Sequence, residues 1–366
     1  NAKFLPSSLS MNENPIDGDF EIIGISTQVI NSTQQVDSDL NLGIDFGTSN
    51  VKVIIGDSAL GKSFAVPFSK NDGVSKYLLP SNLYESEENF NINGEGVGYH
   101  DLKLSYLLNP KNEEKKLRIA AFLALVIRRA RGWLLSDKKN IYKRNKIFWN
   151  LSIGIPSQYY RELGIRDDFR DICIAAWNAA NHDGLINRKI IKNFLSKTTI
   201  NLTPADADYA EIEVVPEIAA QIYGFVVSKG FDKNAKNIYL MADVGAGTLD
   251  ASLFHVTQAR AGRWNFEFFT SVVEPHGTVN LHRFRINWWE DKLIKSNAPK
   301  YLLDALKESK NISDQQDFIP ESYKNYFSGV DIHKLDPKKN PDECFYKKIL
   351  SQVRGYTYLG AAKELL

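Results

Sequence analysis

Two stretches of the 366-residue chain repeat one arrangement of an acid, glycines and hydroxyls. The first is Gly43-Ile44-Asp45-Phe46-Gly47-Thr48-Ser49-Asn50, and the second is Ala242-Asp243-Val244-Gly245-Ala246-Gly247-Thr248-Leu249-Asp250. Glycines let a backbone come close to an anion and let successive N–H groups converge on it. The hydroxyls of Thr48, Ser49 and Thr248 add donors for phosphate oxygens. A carboxylate at a strand end, Asp45 or Asp243, suits a hydrated Mg²⁺. One Asp-x-Gly turn is also what an ordinary hairpin uses. Two copies 198 residues apart, each between an apolar strand and a returning strand, point instead to a paired phosphate clamp.

A competing phosphate motif lies nearby. Gly56-Asp57-Ser58-Ala59-Leu60-Gly61-Lys62-Ser63 satisfies the P-loop pattern and follows an apolar strand. A P-loop must open a helix whose N-terminus meets the phosphates. Here Pro67 and the turn at Asn71-Asp72-Gly73 leave no room for one, so 56–63 reads as a turn between strands. His255, His276 and His282 lack a second ligand at metal spacing, and no zinc site is expected. Between Lys111 and Lys146 twelve Lys/Arg face three acids, which reads as a solvated helix face and loop rather than as a nucleic-acid surface.

Elements must hold these groups in place. Residues 42–46 read as a buried strand, 51–55 as its return and 63–68 as a third, a β-meander rather than the start of a βαβ unit. The pattern predicts a helix over 117–135, a strand over 147–155 closed by Pro156, a helix over 166–181, a short strand at 213–215 and a helix over 217–227. A strand at 238–243, its return at 249–256 and a partner at 264–273 surround the second glycine turn. Beyond Trp288-Trp289 the chain reads as lysine-rich helix broken by polar loops. Residues 1–39 read as a polar arm with one strand at 20–25.

Length favours two lobes over one core. Lys plus Arg (45) balances Asp plus Glu (44), so the net charge of +1 gives no general field for nucleic acid or anionic lipid. Two cysteines exclude a disulfide framework and fit a reducing, cytoplasmic setting. The longest strongly apolar run, Ile119 to Ile127, is half of a bilayer span, so no membrane span is expected.

The two glycine segments resemble the phosphate-1 and phosphate-2 loops of the actin-like ATPase superfamily, nearest to the ATPase domain of the 70-kDa heat-shock chaperones and their bacterial relatives. The likeness runs through Leu79-Pro80-Ser81, Ser152-Ile153-Gly154-Ile155-Pro156-Ser157 and the connecting helix Pro216-Glu217-Ile218-Ala219-Ala220-Gln221-Ile222-Tyr223-Gly224, over roughly residues 40–285. It implies an α/β fold of two lobes, each a mixed five-stranded sheet with flanking helices. The first lobe would cover 40–215, and the connecting helix and second lobe 216–366, incomplete at the C-terminus.

The resemblance also implies ATP or ADP as ligand, with Mg²⁺ reached through water by Asp45 and Asp243. Gly47, Thr48, Ser49, Asn50, Gly245, Ala246, Gly247, Thr248 and Gly277 would face the nucleotide. Glu217 would orient the attacking water, joining Asp45 and Asp243 as a catalytic group. Lys103 lies in the region of a catalytic lysine, although as a residue it reads as a surface lysine. The implied activity is slow ATP hydrolysis whose lobe closure switches binding of a protein partner. The family's adenosine-binding Gly-Gly turn and its peptide-binding β-sandwich are not found before Leu366. A nucleotide-dependent scaffold or filament former with little turnover is therefore the alternative, and a small-molecule kinase of the same fold a third.

Overall fold

The computed structural model describes residues 36–70, 72–143, 145–156, 159–160, 162–196, 209–226, 228–232, 234, 238–258, 264–311, 319–327 and 340–359. Residues 1–35 of the expected arm over 1–39, its strand at 20–25 and Ser157 lie outside them. The chain divides into two compact units. One runs to Ile155 and resumes over Tyr159–Val215; the other takes Pro216 onward together with Pro156–Gln158.

The first unit is built on a mixed sheet. Its strands are β1 (Val36–Phe46), β2 (Asn50–Asp57), β3 (Lys62–Ala65), β4 (Leu79–Pro80), then later β8 (Asn145–Ile155) and β9 (Ala210–Pro216). The order is β3-β2-β1-β8-β9, with β4 also against β2. β1 runs antiparallel to β2 and parallel to β8. Among the described residues regular structure starts at Val36, and 36–39, expected to be part of the arm, belong to β1.

Alternation decides which side chains reach the core. Leu40, Leu42, Ile44 and Phe46 are buried along β1, as are Val51, Val53 and Ile55 on β2. The intervening Asp39, Asn41, Asp45 and Lys52 are exposed, as period 2 requires of a sheet covered on one face. A smaller sheet of β5 (Leu83–Ser86), β6 (Asn89–Asn91) and β7 (Val97–Tyr99), with β5 central, was not signalled by the sequence patterns. Helices α1 (Leu102–Leu108), α2 (Glu113–Asp137), α3 (Lys139–Tyr142), α4 (Leu163–Asn181) and α5 (Arg188–Ser196) complete the unit.

The second unit contains α6 (Glu217–Val226), β10 (Ile238–Val244), β11 (Leu249–Gln258), β12 (Trp264–Glu274), α7 (Thr278–Lys295), α8 (Lys300–Asn311) and α9 (Pro341–Ser351). Its sheet is antiparallel, ordered β10-β11-β12, three strands among the described residues where five were expected. β10 is not the buried strand the apolar pattern suggests. It pairs only with β11 among the described residues, and Ile238, Leu240 and Val244 are exposed on it. The other side of this sheet packs Tyr239, Phe254 and Phe268 against Ile218 and Ile222 of α6. A separate cluster joins Trp289, Ile286 and Leu293 of α7 to Leu306 and Tyr323.

The basic segment is only in part a solvated face: Lys111, Lys139 and Lys143 are exposed, but its arginines in the middle of α2 are not. α2 is the central helix of the first unit, and Arg128, Arg129 and Arg131 are buried. Their polar heads are spent on internal acceptors. Arg128 donates to the carbonyls of Ala179 (3.0 Å), Ala180 (3.2 Å), His182 (2.7 Å) and Gly184 (2.7 Å), filling the acceptors left open at the C-terminal end of α4. Burial pulls this guanidinium down to about 10. Arg129 donates to the Phe68 carbonyl, and Arg131 lies over the ring of Trp177 while bonding Asn181. The P-loop-like stretch is a turn: Leu60 N–H donates to Asp57 Oδ1, Gly61 takes φ +60°, and β3 rather than a helix follows.

Arg128→Met should lower the unfolding free energy by roughly 3 kcal/mol, since it orphans several buried carbonyls at once. Urea denaturation of the variant against the wild type reads this directly.

Candidate functional site

The first hairpin tip is Gly47–Asn50, between Phe46 and Val51, which face each other across β1 and β2. Gly47 N–H donates to the Asn50 carbonyl at 3.1 Å, closing the turn. A Cβ on Gly47 would stand 2.6 Å from that same carbonyl oxygen, so no other residue closes the turn in this form. The carbonyls of Phe46, Gly47 and Ser49 are engaged from behind. Lys103 Nζ donates to Phe46 O (2.8 Å), Ser81 Oγ to Gly47 O (2.8 Å) and Ser81 N–H to Ser49 O (2.8 Å). The N–H groups of Thr48 and Ser49 make no hydrogen bond among the described residues.

The second hairpin has the same build in the other unit. Val244 faces Leu249, and Gly245 N–H donates to the Thr248 carbonyl at 2.9 Å. Here the start of α7 supplies the backing. Thr278 N–H donates to Gly245 O (3.1 Å), Val279 N–H to Ala246 O (2.8 Å) and Gly277 N–H to Gly247 O (3.2 Å). Asn280 Nδ2 adds a bond to Gly247 O (2.6 Å). A Cβ on Gly277 would come within 2.3 Å of Ala246 O, so this close approach demands glycine. The N–H groups of Ala246 and Gly247 make no hydrogen bond among the described residues. From a π-helical turn, Gln352–Thr357, the buried Gln352 amide donates to Leu249 O (3.0 Å), fastening the strand just after the tip.

The acids differ between the hairpins. Asp45 faces Lys52 across β1 and β2, and Lys52 Nζ donates to Asp45 Oδ2 at 2.9 Å. Asp243 faces another acid, Asp250, across β10 and β11. Opposite charges across strands stabilise and like charges do not, so the second hairpin holds the stronger attraction for a cation. Gln221 Nε2 donates to Asp243 Oδ2 (2.6 Å), and Gln221 lies one helical turn beyond Glu217, the half-buried first residue of α6. Glu217, Gln221 and Asp243 therefore belong to one region of the second unit. Asp45 and Asp243 each keep one carboxylate oxygen, Oδ1, without a hydrogen bond among the described residues. That donor set fits a hydrated Mg²⁺ held through water. No group of three or more metal-ligating side chains occurs among the described residues.

Four contributors escaped the sequence reading: Lys52, Ser81, Gln221 and Asp250 act through pairings that only strand register and helix packing reveal. Lys52 and Asp250 were legible in principle, since each stands seven residues after its hairpin's aspartate. The surface reading of Lys103 is overturned. It is 4% exposed, held by the Phe46 carbonyl and lying 5.8 Å from the Phe46 ring centre.

No protein-family model matches the chain. Among curated proteins it is 25% identical over 249 residues to a chaperone protein HscA homolog of Rickettsia felis, covering 63% of this chain and 33% of that protein. It is 27% identical over 229 residues to the HscA homologs of Rickettsia rickettsii and Rickettsia conorii, covering 59% of this chain and 32% of each. The chain thus spans about a third of the length of the curated relatives it matches. Among solved structures, a pCBH ParM non-polymerisable quadruple mutant is similar at 16% identity and a TM-score of 0.35, with 69% of each chain covered. No helix among the described residues is long and apolar enough to cross a membrane.

Gly277→Ala should lower the thermal midpoint of the second unit, because its methyl must displace the loop backbone at a cost of about 1–3 kcal/mol. Differential scanning calorimetry reports the shift, and Gly164→Ala, where a Cβ meets nothing within 4 Å, serves as the silent control.

Proposed function

We propose, from the chain's place in the actin-like, heat-shock-70-like ATPase superfamily that its similarity to HscA homologs supports, that it is an adenine-nucleotide-binding domain that hydrolyses ATP slowly with Mg²⁺. The observation that carries this reading is the shared build of the two hairpin tips. In each, most of the tip carbonyls are fastened from behind, and two consecutive N–H groups remain without a partner among the described residues. Adjacent unbonded amides with the carbonyls turned to other partners form a positive concavity suited to phosphate oxygens.

In this reading Gly47, Thr48, Ser49 and Asn50 hold one side of the phosphate chain, and Gly245, Ala246, Gly247 and Thr248 the other. Gly277 serves by letting α7 press against the second tip. Lys52 lies beside the first tip as a charge for phosphate, its ammonium shared with Asp45. Asp45 and Asp243 would hold the metal through water, and Asp250 adds negative charge on the second side. Mg²⁺, when bound, neutralises charge that builds on the phosphate oxygens during transfer. Glu217, at the first turn of α6, would orient the water that attacks the terminal phosphorus, with Gln221 keeping Asp243 in position beside it. Loss of the terminal phosphate would remove contacts from one or both tips, which is the basis for a nucleotide-dependent switch in binding a protein partner.

Titration calorimetry with Mg·ATP and Mg·ADP tests the reading. Asp243→Ala should weaken Mg·ATP at least tenfold, about 1.4 kcal/mol. Lys52→Gln should weaken ATP more than it weakens adenosine, since its charge addresses phosphate. Glu217→Gln should leave ATP affinity within a few fold and reduce phosphate release in single-turnover assays by roughly a hundredfold. Equal binding of ATP by wild type and Asp243→Ala would sink the clamp.

A further inference from the structure

Away from the hairpin tips, Lys115 and Arg118 of α2 stand together beside the small sheet of the first unit. A cavity of about 320 Å³ opens where the end of β7 meets α1 and the first turns of α2. Tyr99, His100, Leu102, Lys115 and Arg118 line it. The turn is sharp: Asp101, between His100 and Leu102, adopts a left-handed φ of +50°.

Arg188 takes the carboxylates of Glu85 and Glu114, binding Glu85 through two parallel bonds of 2.8 Å and Glu114 through a third. That pairing holds the Glu85 carboxyl below its usual range, first through the Arg188 hydrogen bond. Tyr99 Oη donates to Glu85 Oε2 at 2.9 Å, which fixes the Tyr99 ring. The guanidinium of Arg118 lies 3.8 Å from the centre of that ring, a close stack. Stacking leaves the in-plane donors of Arg118 unused. No hydrogen bond or ion pair to it occurs among the described residues, and its Nε is sheltered from solvent. Lys115 donates one bond, to the Ser105 carbonyl (2.7 Å), and has no carboxylate partner among the described residues.

A half-sheltered arginine held flat on an aromatic ring, with a lysine beside it and the local acids engaged elsewhere, is preorganised for an oxyanion. The apolar part of the lining, Leu102 and the Tyr99 ring, adds contact for a carbon skeleton. We propose that this cavity is a binding site for a small organic anion carrying a carboxylate or phosphate group, which the fork of Arg118 and the ammonium of Lys115 grip together. The site lies within the first unit and does not depend on the nucleotide reading.

Titration of the full chain with inorganic phosphate and with succinate, at fixed ionic strength, tests this. At least one should bind the wild type with a dissociation constant below about 10 mM. Arg118→Gln should weaken that binding at least tenfold, Lys115→Gln severalfold, and Lys139→Gln, an exposed lysine outside the cavity lining, not at all. Binding of phosphate alone assigns a phosphate-bearing ligand; binding of succinate alone assigns a carboxylate. Should Arg118→Gln fail to fold by circular dichroism, Lys115→Gln carries the comparison. The proposal is overturned if neither anion binds. It is equally overturned if the variants at 118 and 115 bind as the wild type does, or if Lys139→Gln weakens binding as much as they do.

Discussion

A backbone N–H attracts an outside anion best where most neighbouring carbonyls are turned to other partners. Both hairpin tips have this build, and much of the surrounding architecture serves it. At the first tip a buried serine and a buried lysine take the carbonyls of residues 46, 47 and 49. At the second, the opening of α7 takes those of 245, 246 and 247, and Gln352 takes that of 249. The devices differ while the outcome is the same. A turn closed by a glycine N–H onto the carbonyl three residues on is backed by donors and left with two unbonded amides. The two glycine positions with the tightest clearances around these tips, Gly47 and Gly277, are where the backbone packs too closely for any side chain.

Charge is divided between the hairpins by strand register. Period 2 places Phe46 in the core and Asp45 on the open face, where register sets Lys52 opposite. The equivalent register at the second hairpin sets Asp250 opposite Asp243. The first hairpin is therefore nearly neutral, its ammonium paired with Asp45, while the second is doubly acidic.

The hairpin echo, the first sheet and its main helices were legible because they rest on local patterns: apolar alternation, glycine spacing and amphipathic runs. What was missed depends on contacts between distant segments. The small sheet of β5, β6 and β7 is too short to leave a period. Arg128, Arg129 and Arg131 looked like a solvated face, because composition cannot show that carbonyls at the end of α4 and near Phe68 await them. Lys103 looked superficial for the same reason. β10 reads as buried because it is apolar, yet one side of it is exposed among the described residues. In the candidate site, the glycines, hydroxyls and aspartates were visible in sequence, whereas Ser81 and Gln221 reach it only through packing.

The proposed function requires that nucleotide phosphates engage the unbonded amides of each tip. Amide hydrogen–deuterium exchange across the chain, with and without saturating Mg·ADP, tests it most directly. The account predicts slowed exchange in peptides covering 46–50 and 245–249 together, because the unbonded N–H groups at both tips acquire phosphate acceptors. Slowing at only one tip, or at neither while the nucleotide is bound, would contradict it.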